Sequence, residues 1–493
     1  MTEPVPPIEL TGTAARFAGL ATRVQLDDSV LAHLAAICET VTSEAATAEA
    51  SRDWWPLAMH WSLAGMVPQR AAAVCRPTST DGVAAILREC SAAGVPVTAA
   101  GGRSGVSGAS VPAFGGVVLD LTAMQGIVAV DAPAGVVEVL AGTFGPQLEA
   151  ELRDGWAMTI GHFPQSFDIA TVGGWVACRG AGQYSTRYGK IEHIVAGLEA
   201  VLADGTVLRS GRGPAAAMGP DLTQLFVGSE GTLGVITRVW LRARPVPTHE
   251  RRAAYAFGDF VSGIEACRLI LRRGATPAVL RLYDKTETQR SHSGDGSQCA
   301  LLVLDEGDIG LVEATFGVVE DECAAALPAS SELVDSWLAH RNDTSALQDL
   351  TRRGLVVDTM EIAAPWSRLP AIYSETCAAL MTVPHARTAS CHLSHSYLDG
   401  ACLYFTFAAS PPPEEIESTY VAMWDAGQRA VLGAGGNLSH HHGIGLNRAR
   451  FMAEAMGPSL ATLQAVKDAL DPQGILNPGK LGLSSPFGSV RWP

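Results

Sequence analysis

The sequence predicts an α+β protein of several domains, and three observations carry that prediction. Helix and strand patterns alternate from Arg76, prolines bracket a break at Arg244-Pro245-Val246-Pro247, and glycine-rich turns return in residues 435–481. At 493 residues the chain exceeds one small core, so two or three domains are expected. A hydrophobic content of 47% with 17% charged residues is that of an ordered globular chain.

Residues 1–66 read as an N-terminal helical segment: 11–66 are Ala-rich and polar-faced, ending in Trp54-Trp55-Pro56 and Trp61, which are expected to anchor packing. In residues 67–247, Thr78-Ser79-Thr80 precedes Asp81, and Val83, Ile86, Leu87 and Cys90 recur at helical spacing until Gly94 closes the helix. Strands follow at 95–99, 116–119, 136–140 and 195–202, and the turn Asp204-Gly205 before Thr206-Val207-Leu208 signals a hairpin. Residues 248–432 read as a second α+β unit, with a strand at 253–257, a helix at 262–273 and a strand at 300–304. A helix within 310–327 and a strand at 401–408 continue it. Pro411-Pro412-Pro413-Glu414-Glu415 opens a further helix, with proline in the first turn and carboxylates at the positive dipole end. Residues 433–493 are a C-terminal segment of glycine-rich turns.

Charge and composition narrow the function. A net charge of -15 argues against a nucleic-acid partner, which wants a basic face. The ten cysteines include no C-x-x-C pair, so neither a zinc knuckle nor a disulfide framework is expected, and they read as reduced thiols. Residues 1–10 lack the basic flank and apolar core of a leader, and no apolar run is long enough to span a membrane. A cytoplasmic protein is therefore expected.

The strand at 95–99 runs directly into Gly101-Gly102-Arg103-Ser104-Gly105-Val106-Ser107-Gly108. Residues without Cβ let successive backbone N–H groups turn inward and make a nest for phosphate oxygens. The spacing G-G-x-x-G-x-x-G is neither a P-loop, whose lysine is missing, nor the dinucleotide fingerprint. Small residues recur in Gly161-His162-Phe163-Pro164-Gln165-Ser166 and in Thr171-Val172-Gly173-Gly174-Trp175-Val176. Gly228-Ser229-Glu230-Gly231-Thr232-Leu233-Gly234-Val235-Ile236-Thr237 repeats the theme. Several such loops together suit an elongated ligand with a pyrophosphate and two ring systems, and read as a flavin-dinucleotide site. Late in the chain, Leu438-Ser439-His440-His441-His442-Gly443-Ile444-Gly445 sets three adjacent imidazoles at a tight bend. Imidazole titrates near neutral pH and serves as acid, base or metal ligand.

With these motifs in place, the chain resembles the vanillyl-alcohol-oxidase, or PCMH-type, superfamily of FAD proteins. Within that superfamily it is most similar to the alkylglycerone-phosphate (alkyl-dihydroxyacetone-phosphate) synthases. The resemblance rests on the loops quoted above and on the closing Leu470-Asp471-Pro472-Gln473-Gly474-Ile475-Leu476-Asn477-Pro478-Gly479-Lys480. Arg281-Leu282-Tyr283-Asp284, Ala364-Pro365-Trp366, Tyr397 with Gly400-Ala401-Cys402-Leu403-Tyr404-Phe405, and Ser439-His440-His441-His442-Gly443 complete it, over roughly residues 60–481. It implies an FAD-binding PCMH-type domain built from residues 67–247 and 433–493, with a substrate-binding cap at 248–432 between them. It implies that Ala100, Gly101, Gly102, Arg103, Ser104, Gly105, Val106 and Ser107 hold the pyrophosphate. Ser166, Thr171, Gly173, Gly174, Glu230, Gly231, Gly234, Val235 and Ile236 would flank the adenosine and isoalloxazine parts. His162, Tyr397, His440, His441 and His442 would face the flavin's reactive edge, with Arg281 in the active-site region. Noncovalent FAD is expected, because Arg103 stands where some relatives place the histidine that bonds the ring.

Two departures from related patterns bear on chemistry. FAD-linked 2-hydroxy-acid dehydrogenases carry H-A-G-D-G-N-L-H and G-E-H-G metal motifs. Here those positions read His395-Ser396-Tyr397-Leu398-Asp399-Gly400-Ala401-Cys402-Leu403 and His440-His441-His442-Gly443, so no metal is expected, and none is expected from His392 or His395 joining the triplet. Against the synthase pattern, Leu446-Asn447-Arg448 follows Gly445 where a lysine usually comes first, and Leu398 interrupts a tyrosine-aspartate step. Those changes bear on the substrate more than on the flavin.

A flavin accepts a hydride at N5, or is attacked through N5, only where a C–H beside oxygen or nitrogen is held over the ring and its proton has an acceptor. Tyrosine titrates near about 10, and an adjacent imidazolium or guanidinium lowers that; Tyr397 beside the triplet is expected to supply such a pair. Arg281 has a structural alternative, an ion pair with Asp284 or Glu287. Arg341, which could clamp an anion, is expected to be a solvated surface arginine. The expected function is an FAD-dependent oxidase or dehydrogenase of a small-molecule or lipid-like substrate, with Tyr397, His440, His441 and His442 as acid/base groups. The alternative is a synthase-like, non-redox exchange of an acyl for an alkyl group on acyl-dihydroxyacetone phosphate through a flavin N5 adduct. Monomer and homodimer both stay open.

Overall fold

A computed structural model describes residues 8–211, 213–292 and 294–490. The reading of residues 1–7 as free of a leader lies outside them. Helix Thr80–Ala93 shows how local sequence sets the frame. The Ser79 side chain accepts the Gly82 N–H, a cap of about 1 kcal/mol, and Gly94 takes the left-handed conformation at φ 63°. Its apolar stripe of Val83, Ile86, Leu87 and Cys90 is buried. The helix delivers the chain to Val97–Ala100, an edge of a four-stranded sheet ordered Glu39–Val41, Ala73–Arg76, Val117–Asp120, Val97–Ala100. The C-terminal segment docks on that edge: Val97 N donates to Ile475 O and Asn477 N to Val97 O, each at 2.8 Å.

A five-stranded antiparallel sheet runs Val207–Ser210, Val195–Val201, Val235–Arg242, Val136–Leu140, Ile127–Asp131. Val139, Leu198, Val239 and Leu241 pack there with Leu148 and Leu152 of helix Gly145–Trp156 and with Trp175 and Val176 of helix Val172–Cys178. The chain then pairs Arg244–Pro245 with Met158–Thr159 and enters a seven-stranded antiparallel sheet at His249–Phe257. That sheet is ordered Leu327–Ala329, His249–Phe257, Cys299–Gly307, Val279–Tyr283, Ala386–Ser396, Gly400–Ala409, Val356–Pro365.

Strand alternation sorts the seven-stranded sheet into two chemically different faces. Leu282, Leu393, Leu403 and Ile362 stand opposite one another across four strands and join the core under helices Phe260–Arg272, Leu369–Met381 and Ile416–Gly433. The adjacent row, Tyr283, His392, Tyr404 and Glu361, lies one residue along and so faces the other way. A polar wall on the inner face of a buried sheet positions the site described below.

The N-terminal segment is less helical than its composition predicts. Helices cover only Asp28–Ile37, Glu44–Ala50 and Pro56–Leu63. Ahead of them Ala14–Ala15 pairs with Met66–Val67, and a Cβ on Gly12 would meet the Gly65 carbonyl carbon at 2.2 Å, so close backbone packing replaces a helix there. Trp55 and Trp61 do anchor packing, edge to face at 5.2 Å, and Trp55 Nε1 donates to Tyr420 Oη. Trp54 packs with Leu10 and Met59 and also lines the cleft. Among the described residues no helix is long and apolar enough to cross a membrane.

Candidate active site

One cleft gathers the predicted cofactor loops. Ala100, Gly101, Gly102, Arg103, Ser104, Gly105, Val106, Ser166, Thr171, Gly173, Gly174, Glu230, Gly231, Gly234, Val235 and Ile236 all line it. Ser107 does not; its carbonyl accepts the N–H of Leu446 and of Asn447 beneath the loop. The backbone N–H groups of residues 101–106 make no hydrogen bond to any described residue, which leaves successive donors free at the end of a strand. The loop sits backbone against backbone on the next one. A Cβ on Gly102 would lie 1.8 Å from Ile169 O, and one on Gly101 would lie 2.2 Å from Thr171 Oγ1. Thr171 also caps helix Val172–Cys178, whose first turn opens on the cleft. His162 lines the cleft with both ring nitrogens buried and unpartnered, 4.8 Å from Trp175. Burial first, and the Lys190 ammonium second, bring it down to about 3, so the ring is neutral. Free amides and a buried orphan imidazole fit the pyrophosphate and ring of FAD.

The histidine bend is held from two sides by carboxylates. Glu361 Oε1 accepts the N–H of His441 (3.0 Å) and of His442 (2.7 Å) and the Ser439 hydroxyl (2.6 Å). Its other oxygen pairs with Arg448 and lies 3.2 Å from His442 Nδ1. Burial alone would raise this carboxyl, but Arg448 and His442 outweigh it and hold it well below the usual range. From the cofactor side, Glu230 accepts the N–H of Ile444 (2.6 Å) and of Gly445 (2.9 Å). Glu230 thus lines the cleft while its carboxylate turns to the histidine bend. Lys190 Nζ donates to His440 O at 2.6 Å.

A hydrogen-bonded chain connects the predicted acid/base residues. Tyr397 Oη lies 2.8 Å from His440 Nε2, and His440 Nδ1 lies 2.8 Å from His441 Nδ1. His441 and His442 line the cleft, whereas Tyr397, His440 and Arg281 do not. His395 stacks on His440 at 5.0 Å and gives its Nδ1 to a 2.7 Å bond with Ser185 Oγ. Burial is the first cause that drives His395, His440 and His441 well below the usual imidazole value. It likewise drives Tyr397 well above the usual phenol value. This overturns the expectation of a tyrosine lowered by an imidazolium: in a dry site the neutral forms win, and the chain is a neutral phenol on neutral imidazoles. The ligating atoms of His395, His440 and His441 lie within 4.8 Å of one another, close enough to hold a metal ion, with no acidic side chain in the group.

Neither arginine behaves as its structural alternative suggests. Arg281 makes no ion pair with Asp284 or Glu287; its Nε donates to Tyr283 Oη at 2.6 Å. Glu287 instead accepts from His392 Nδ1 at 2.9 Å. Arg341 is not a solvated surface residue, since its guanidinium lies over Tyr184 at 5.0 Å, Phe163 at 5.7 Å and Trp337 at 5.8 Å. The sequence reading missed Glu361, Arg448, Ser185 and Lys190, and weighed His395 only as a disfavoured metal ligand. A lone carboxylate in a strand carries no local signal; only its cross-strand partners make it a site.

Comparison with known proteins agrees with this geometry. Residues 71–211 match the FAD binding domain family and residues 246–481 the C-terminal domain of FAD linked oxidases. The chain is 34% identical over 433 residues to an uncharacterized FAD-linked oxidoreductase, YgcU, of Escherichia coli (strain K12), covering 83% of this chain and 88% of that one. It is 26% identical over 459 residues to the alkyldihydroxyacetonephosphate synthase of Dictyostelium discoideum, covering 85% and 74%. Its fold superposes on p-cresol methylhydroxylase with substrate bound at a TM-score of 0.76 and 16% identity, over 94% and 99% of the two chains. The fold is the PCMH-type FAD-binding fold, and FAD is its cofactor. The chain belongs to the FAD-linked oxidoreductase family.

Proposed function

We propose that the protein oxidises a carbon bearing oxygen or nitrogen in a small-molecule or lipid-like substrate, with His441, His440 and Tyr397 carrying the proton released. The observation that supports this most is the unbroken chain of hydrogen bonds from the cleft-lining His441 to Tyr397. FAD supplies the two-electron acceptor when bound. The free amides of residues 101–106 would hold its pyrophosphate, and the small residues of 171–174 and 230–236 would leave room for its rings.

A neutral imidazole has one N–H and one lone pair, so a chain of two has a direction. With His441 Nε2 free to accept, a proton taken from the substrate releases the hydrogen at Nδ1 to His440 Nδ1. His440 then passes its own hydrogen from Nε2 to the Tyr397 oxygen as Tyr397 hands its hydroxyl proton to Ser185 Oγ, and Ser185 hands its own to His395 Nδ1, where the charge comes to rest. Run backwards, the same atoms deliver a proton. Burial keeps every member neutral until the proton arrives, as a group must be to act as a base. Glu361 and Glu230 fix the bend by its backbone, which sets the rings without charging them.

A second reading is a synthase-like exchange of an acyl for an alkyl group with no net redox change. It draws on the Tyr397 and histidine cluster together with the sequence similarity to alkyldihydroxyacetonephosphate synthase. Anaerobic mixing of the yellow protein with alcohols, hydroxy acids and amines separates the two. Lasting loss of the visible flavin band is expected from the first reading. Turnover of an acylated substrate with no acceptor consumed and the band unchanged contradicts it in favour of the second.

A further inference from the structure

We propose that Arg341 recognises an acidic head group, a carboxylate or a phosphate, on the substrate; this rests on the cleft being the active site. Arg341 follows helix Glu332–His340 of the seven-stranded unit and reaches across to the loop after His162. Its guanidinium is enclosed by Phe163, Tyr184 and Trp337, and its Nη1 is buried with no hydrogen-bond partner. Aromatic faces hold a guanidinium in place and strip its water, and the Tyr184 hydroxyl hydrogen-bonds to it, but no anion meets Nη1. Arg341 is half-buried as a residue, but a buried N–H of a charged group normally has a partner. No described carboxylate lies within ion-pairing distance of it; Asp168, whose carboxyl feels its charge, is beyond that range and keeps Oδ2 unpartnered.

A second guanidinium raises the local positive charge. Arg281 also lies over Trp337, at 5.7 Å, and likewise makes no ion pair with a described carboxylate. Two guanidiniums on one indole, neither in an ion pair with a described carboxylate, are a local excess of positive charge that an anion would relieve. The station adjoins the cleft: Phe163 follows His162, and Thr344, three residues beyond Arg341, lines the cleft with His162. Arg341 Nη1 offers the free donor, and the planar fork suits both oxygens of a carboxylate or two of a phosphate.

The test uses the FAD-loaded protein and two probes, inorganic phosphate and acetate, titrated separately at constant ionic strength while the visible flavin band is followed. Wild type should show a saturable perturbation with at least one anion, and the stronger response identifies the source. Arg341→Gln should weaken that binding roughly tenfold or more, as expected for loss of a charge-assisted hydrogen bond. Arg341→Lys, which keeps the charge and loses the fork, should fall between, and the exposed Arg272→Gln should match wild type. Indifference of wild type to both anions, or equal affinity in wild type and Arg341→Gln, overturns the assignment. The titration reads binding alone, so its failure leaves the proton-chain reading intact, while loss of substrate oxidation with anion binding retained would strike that reading instead.

Discussion

Glu361 is the residue on which the histidine bend depends, and it is also the one the sequence hides. It is fully buried, as is its partner Arg448. Removing one member of such a pair strands the other charge, at a cost of about 3–5 kcal/mol. Glu361→Ala should therefore lower the unfolding midpoint in a denaturant titration by that order, and Glu361→Gln should fold better yet misplace His441. The triplet itself was legible because three adjacent imidazoles between glycines are rare. Their charge state was not, because it follows from burial.

That charge state has a consequence for pH. The folded values of His395, His440 and His441 are depressed, so these groups contribute stability above the unfolded value of about 6.5 and lose it as pH falls below that. The unfolded chain takes up protons that the folded chain refuses. Thermal midpoints should drop as pH falls from about 7 to 5, and His441→Asn should flatten that slope. A slope identical in the variant would show that other groups set it.

At the scale of elements, the glycine loops were readable and four strands of the seven-stranded sheet were not. The loop 101–108 advertises itself because only glycine tolerates backbone packed that closely. Gly102→Ala puts a carbon 1.8 Å from Ile169 O, so it should expel FAD, measured as the ratio of flavin to protein after purification. A variant that keeps full flavin would mean the loop can move aside. The short edge strand Leu327–Ala329 and the strands Val279–Tyr283, Val356–Pro365 and Ala386–Ser396 escaped the reading. Ala386–Ser396 is rich in alanine, serine and histidine and weak in strand propensity, and Val356–Pro365 ends in proline, tolerated because it is an edge strand. Their order comes from pairing with Gly400–Ala409, a long-range fact. Those strands carry Arg281, Glu361, His392 and His395.

The whole molecule works by bringing cofactor loops, histidine bend and polar sheet face to one place. Contacts between helix Ser185–Tyr188 and strand Cys299–Gly307 help to fix that meeting. Arg187 Nη1 reaches both oxygens of the buried Asp305 at 2.8 and 3.0 Å, and Tyr188 Oη donates to Glu306 at 2.6 Å. Arg187→Gln would strand Asp305 and should destabilise the fold by about 3 kcal/mol or more, read as an earlier unfolding transition. The family and its cofactor were legible from loops scattered over the chain, because each leaves a glycine pattern. The substrate was not, since the cleft is also lined by single side chains from separate strands, Thr359 and Tyr404, and by Thr344 and Leu347, which leave no local pattern.

The central claim is that Tyr397 and the imidazoles beside it carry the substrate's proton. It is tested most directly by comparing wild type with Tyr397→Phe in anaerobic mixing with a substrate that bleaches the wild-type flavin. The account predicts normal flavin content in the variant and a bleaching rate lowered by at least roughly 10²-fold, the usual scale for a positioned acid/base group. Bleaching at the wild-type rate would contradict it.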